Sequence, residues 1–107
     1  MSNEFNDKTA IISGAAGGIG LAVAEALAGQ GMNIVMGDID SSTLSEASDA
    51  LKEKGYNVIT CPLDVTDYTQ WESIVEKAKE AFGKVHMVVN NACVGGTPGK
   101  IEDAEHE

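Results

Sequence analysis

Short apolar runs alternate along the chain with longer stretches of helical period. Thr9, Ala10, Ile11 and Ile12 form a run that breaks at a glycine cluster, which predicts a buried strand leading into a tight turn. Ile19, Val23, Ala24, Ala26 and Leu27 then recur near helical spacing over residues 19–30, and Gly29 and Gly31 mark the exit. A second strand is predicted at Asn33, Ile34, Val35 and Met36. It is followed by a helix that Ser41 or Ser42 caps, running to about Lys54 and stopped by Gly55. Val58, Ile59, Thr60 and Cys61 give the third strand. Asp67 or Thr69 can cap the next helix, whose Trp71, Ile74, Val75, Ala78 and Phe82 share one face until Gly83. The fourth strand is predicted over residues 85–89, from Val85 through Val88 to Val89.

Strands that alternate with helices through short connections imply parallel βαβ units with right-handed crossovers. The expected fold is therefore α/β, a three-layer doubly wound parallel sheet truncated to four strands and three helices. Uninterrupted apolar strands suit a sheet covered on both faces. After Ala92 the pattern gives way to Gly95, Gly96, Thr97, Pro98 and Gly99 and then to acidic residues. The chain is accordingly divided into a binding half-domain over 1–94 and a mobile loop with an acidic tail over 95–107.

Charge narrows the partners. Seventeen acidic residues against seven basic ones give a formal charge of −10, which repels nucleic acid and anionic membrane surfaces. An anionic cofactor stays admissible, because backbone N–H groups at a helix N-terminus hold a pyrophosphate without any lysine. Residues 1–8 are polar and show no basic segment leading into an apolar core, so a cytoplasmic protein is expected. Cys61 and Cys93 are isolated in sequence, and two reduced thiols are expected rather than a disulfide or a zinc site. His86 and His106 have no carboxylate or serine arranged with them and are expected to face solvent.

The candidate chemistry lies where the first strand meets the first helix. In a cluster that also holds Gly17, the glycines Gly14, Gly18 and Gly20 would let the chain turn sharply, let backbone approach a pyrophosphate, and let helix and strand pack closely. A connector that binds nothing would use the same letters. Asp38 adds weight: it ends the second strand 18 residues after Gly20, where a carboxylate can accept from both hydroxyls of an adenosine ribose. It would also repel a 2′-phosphate, and no neighbouring Arg or Lys welcomes one, so NAD is expected over NADP.

On these residues the chain resembles the short-chain dehydrogenase/reductase family, whose T-G-x-x-x-G-I-G turn is matched from Ser13 to Gly20. The likeness extends to the acidic NAD selector at Asp38, the D-V pair at Asp64 and Val65, and the N-N-A-G run at Asn90, Asn91, Ala92 and Cys93. The resemblance implies the N-terminal NAD(P)-binding Rossmann half of an oxidoreductase that moves a hydride between NAD and an alcohol or ketone. It further implies that Asp64 bonds the adenine amino group, that the Val65 backbone lies along the ring, and that Asn90, Asn91 and Ala92 line the ribose side. The implied cofactor set is thus Gly14, Gly17, Gly18, Ile19, Gly20, Asp38, Ile39, Asp64, Val65, Asn90, Asn91 and Ala92. Two positions depart from the pattern. Ser13 keeps the hydroxyl of the usual threonine, whereas Cys93 puts a side chain where the family has glycine.

By the same resemblance catalysis rests on a serine and a Tyr-x-x-x-Lys pair. Neither Tyr56 nor Tyr68 has a lysine four residues later. The 107 residues are expected to be inactive alone and to leave the strand over 85–89 as an apolar edge open to self-association. A stand-alone nucleotide-binding or regulatory module and a non-functional remnant are the competing readings.

Overall fold

A computed structural model of the chain describes residues 5–91. The elements alternate in the order β1 (Thr9–Ser13), α1 (Gly18–Gly29), β2 (Asn33–Asp38), α2 (Ser41–Glu53), β3 (Val58–Pro62), α3 (Tyr68–Phe82) and β4 (Met87–Asn90). All strand pairs are parallel, in one sheet of order β3-β2-β1-β4. The chain therefore steps outward from β1 to β3 and then returns across the sheet, through α3, to the other side of β1. Strand order reverses between β1 and β4, and in open α/β sheets a ligand crevice lies at the carboxyl ends beside such a reversal.

Alternation along the strands sorts the core into two layers. Ala10, Ile12, Ile34 and Met36 point to one face, where Ala24 and Ala28 of α1 and Leu44, Ala47 and Leu51 of α2 cover them. Ile11, Val35 and Cys61 point to the other, against Ile74 and Ala78 of α3. Every residue of β1 is buried, as an inner strand covered on both faces requires. The expected doubly wound architecture is thus observed, with its four strands and three helices.

Several local expectations are corrected. The buried stripe of α1 is Gly20, Ala24 and Ala28, one i, i+4 row of small residues, while Ile19 and Ala26 turn outward. Small residues on that row let the helix settle close to the sheet. Asp40, not Ser41 or Ser42, caps α2, and its carboxylate accepts from the Thr43 amide at 3.1 Å. For α3 the cap is Asp67, one of the two residues expected. The β4 ladder opens at Ala10↔Met87 and not at Val85, because the Thr9 N–H donates to the His86 ring Nδ1 at 3.1 Å. His86 is exposed, as expected, yet its ring is engaged. Ala92, Cys93, His106 and the loop and tail expected over 95–107 lie outside the described residues.

Among the described residues β4 pairs with β1 alone, so its outer side is a sheet edge, and Val88 is 53% exposed there.

Candidate cofactor-binding site

Register brings the carboxyl ends of the strands into line. Ser13 stands opposite Gly37 on one side and Asn90 on the other, with Cys61 next along from Gly37. The glycine turn springs from this row. Gly14 has φ +63° and Gly18 φ +61°, left-handed conformations that a side chain makes costly, by about 1–2 kcal/mol each. Gly20 is held by proximity instead. A Cβ there would collide with the Gly14 carbonyl oxygen and lie 2.9 Å from Asn91 Nδ2. Gly17 differs from all three, since its φ of −170° is ordinary extended backbone and a Cβ would meet nothing within 4 Å.

Gly17 is also the N-cap of α1, and it offers no side chain to the first-turn amides; that turn contains no acidic residue either. An α-helix leaves its first N–H groups without intrahelical partners and carries partial positive charge at that end. Capping side chains meet this need in α2 and α3, through Asp40 and Asp67. In α1 the end is bare and open, a shape and polarity fitted to phosphate oxygens.

The turn is fastened on both sides. Toward β2, the Ala15 N–H donates to the Gly37 carbonyl at 3.1 Å and the Ala16 N–H to Asp38 Oδ2 at 3.0 Å, while Asp38 Oδ1 accepts from the Asp40 amide at 3.1 Å. Toward β4, the buried Ser13 hydroxyl donates to Asn90 Oδ1 at 2.8 Å and accepts from the Asn91 N–H at 2.8 Å. Asp38 is half-buried at the end of β2. Ile39, in the loop after β2, and Ile19, in the first turn of α1, are 73% and 72% exposed and stand as uncovered apolar side chains above the sheet.

The remaining candidate pair follows β3. Asp64 Oδ1 accepts from both the Thr66 amide, at 3.0 Å, and the Thr66 hydroxyl, at 2.6 Å. These bonds hold the carboxyl below its ordinary range, so it is a carboxylate at neutral pH. The Asp64 N–H donates to Gln70 Oε1 at 2.7 Å, and the Val65 carbonyl accepts from Trp71 Nε1 at 3.0 Å.

Of the sequence candidates, Gly14, Gly18, Gly20, Asp38, Asn90 and Asn91 are thus joined into one assembly at the strand ends, with Gly17 at its open lip. Asp64 and Val65 are carried on the neighbouring loop, and Ala92 lies outside the described residues. Sequence reasoning missed the hub role of Ser13, whose signal was its hydroxyl immediately before the turn. It also missed Gln70 and Trp71, since the helical spacing of the tryptophan signals packing alone.

An open groove of about 620 Å³ lies along α3, lined by Tyr68, Trp71, Glu72, Ser73, Val75 and Glu76. It touches no residue of the glycine turn, and its one link to the candidate residues is Trp71, which donates to the Val65 carbonyl, so its size does not make it the site. Among the described residues no group of three or more His, Cys, Asp or Glu is placed to hold a metal ion. No helix among them is long and apolar enough to cross a membrane.

Comparison with known proteins agrees with this geometry. The family model described as short chain dehydrogenase matches residues 8–107. A diacetyl reductase, (S)-acetoin forming, from Staphylococcus epidermidis is 43% identical over 100 residues, which cover 94% of this chain and 39% of that protein. Among solved structures, a short chain dehydrogenase/reductase from Burkholderia phymatum in complex with NAD is 40% identical, with a TM-score of 0.77 over 82% of this chain and 31% of the other. A hydroxysteroid dehydrogenase from Escherichia coli is 33% identical, with a TM-score of 0.81 over 86% of this chain and 39% of the other. The chain spans about two fifths of the length of the curated relatives it matches.

Proposed function

Since the chain belongs to the short-chain dehydrogenase family, we propose that it binds NAD in preference to NADP and supplies the cofactor half of an oxidoreductase acting on an alcohol or ketone. The observation that carries this reading is the bare, glycine-lined N-terminus of α1, open beside Gly17 where a Cβ would meet nothing. That the Burkholderia neighbour is a complex with NAD supports it.

In this reading the amides of Gly17, Gly18, Ile19 and Gly20 hold the pyrophosphate. Gly14 shapes the turn beneath them. Asp38 accepts from the adenosine ribose hydroxyls, with Ile39 beside the adenosine, and Asp64 and Val65 read the adenine. Asn90, Asn91 and Ala92 line the second ribose. Bound nicotinamide would supply the hydride acceptor or donor, and these residues would orient it and keep its charge compensated. Within the 107 residues no Tyr-x-x-x-Lys pair is present, so acid/base assistance of about 10²–10⁴-fold must come from elsewhere and these residues alone bind without turnover. The isolated thiols favour the reducing cytoplasm as its place of work, and the open β4 edge gives the isolated segment a route to self-association.

Asp38 has two duties that one substitution can separate. Its Oδ2 anchors the Ala16 amide, which serves any dinucleotide alike, whereas its charge acts against a 2′-phosphate only. Calorimetric titration of the parent should give an NAD affinity at least about tenfold above that for NADP, the scale of one charged hydrogen bond. Asp38→Ala should weaken NAD and narrow that ratio. An unchanged ratio would show that Asp38 only anchors the turn, and equal affinities in the parent would contradict the NAD preference.

A further inference from the structure

The Asp64-Val65 pair is gripped at both ends by consecutive side chains of another element. Gln70 Oε1 takes the Asp64 N–H at 2.7 Å, and Trp71 Nε1 donates to the Val65 carbonyl at 3.0 Å. Both grips come from the first turn of α3, and that turn is itself fixed to the loop. Asp67 caps it, the Asp67 N–H donates to the Asp64 carbonyl at 2.9 Å, and Gln70 Nε2 donates to Asp67 Oδ2 at 3.4 Å. The last bond sets which way the Gln70 amide faces, leaving its oxygen for Asp64.

The polar groups left over form a pattern. Thr66 occupies Asp64 Oδ1 with two bonds, and among the described residues nothing donates to Oδ2 or accepts from the Val65 N–H. A carboxylate acceptor and an amide donor therefore stand on adjacent residues. Adenine presents the complement, an amino donor at C6 beside the N1 acceptor. Hypoxanthine presents the reverse, an oxo acceptor beside an N–H donor, and would set oxygen against the carboxylate.

We propose that Gln70 and Trp71 are positioning residues that hold Asp64 and Val65 in register to read adenine, so that base selectivity depends on two α3 side chains. The inference rests on the reading of Asp64 and Val65 given above. Gripping the peptide at both ends fixes the spacing of acceptor and donor, and selectivity by hydrogen bonding requires donors and acceptors held to within fractions of an ångström. Trp71 also packs against the α3 core layer, so Trp71→Phe keeps an aromatic ring there and removes only the N–H.

The test compares NAD with nicotinamide hypoxanthine dinucleotide by calorimetry, using the parent, Trp71→Phe and Gln70→Met. The parent should prefer NAD by about tenfold or more. Trp71→Phe and Gln70→Met should each bring that ratio to within about threefold. Amide exchange at Asp64 in the parent should be slow without any ligand and should speed up in Gln70→Met. A parent that discriminates, with both ratios unchanged in the variants, would overturn the positioning role and leave the NAD site standing. A parent that binds neither dinucleotide would overturn both, and unprotected Asp64 exchange in the parent would overturn the grip itself.

Discussion

Gly17 and Gly20 stand three positions apart in one turn and answer to different constraints. Gly20 is required by the protein, because the Gly14 carbonyl and the Asn91 side chain fill the space a Cβ would need. Nothing in the protein requires Gly17, which is extended and faces open space. Gly20→Ala should therefore cost about 1–3 kcal/mol of stability through overpacking, seen as a lowered Tm. Gly17→Ala should leave the Tm near that of the parent while weakening NAD at least about tenfold, because its Cβ would stand in the space through which a phosphate approaches the first-turn amides. An equal effect of Gly17→Ala on stability and binding would count against an amide cradle. Both glycines were legible as a motif in the sequence. Their division of labour was not, since Gly20 is crowded by Asn91, far along the chain and brought in only when β4 pairs with β1. The same holds for Asp38: its spacing pointed to the ribose, but its bonds to the Ala16 and Asp40 amides appear only once β2 lies beside the turn.

At the level of elements, hydrophobic period and the glycine stops located every helix and strand, the capping residue was foreseen for α3 alone, and the shifts within α1 and β4 came from tertiary packing. In α1 the large apolar residues mark the wrong face, because close seating on the sheet selects the small Gly20, Ala24 and Ala28. In β4 the His86 ring takes the amide that would have extended the ladder. Carboxylates secure the loops around the site: Asp40 and Asp67 cap α2 and α3, and Asp64 closes the turn between β3 and α3. Thr43, Thr66 and Thr69 respectively donate to Asp40, Asp64 and Asp67 and hold each carboxyl below its ordinary value of 3.8. A depressed folded-state value means that the unfolded chain takes up these protons first. The stabilisation is then fully present above the ordinary carboxylate range and is lost as the pH falls below about 4. The Tm should be flat down to that range and decline beneath it, and Asp40→Asn with Asp67→Asn, which keep capping oxygens, should make the decline shallower. An identical acid profile in the double variant would show that other groups govern it.

Over the whole molecule, the reversal of strand order between β1 and β4 puts the glycine turn, Asp38 and the two asparagines at one end of the sheet, and it leaves β4 exposed along its outer side among the described residues. A free edge bearing Val88 favours strand pairing with a second copy. The formal charge of −10 opposes it. Because that repulsion is screened over about 8 Å at physiological ionic strength, sedimentation of the 107 residues should show self-association that grows with salt, and Val88→Lys should shift it toward monomer. A monodisperse monomer at every concentration and salt would contradict this. Whether the bare end of α1 and the strand termini form a dinucleotide site is decided by titrating NAD into isotopically labelled protein and following backbone amide resonances. The predicted result is a saturable set of shifts at Gly14, Gly17, Gly18 and Gly20, at Asp38 and Ile39, at Asp64 and Val65, and at Asn90 and Asn91. Shifts confined to the α3 groove around Tyr68 and Glu72, or none in a folded sample, would contradict it.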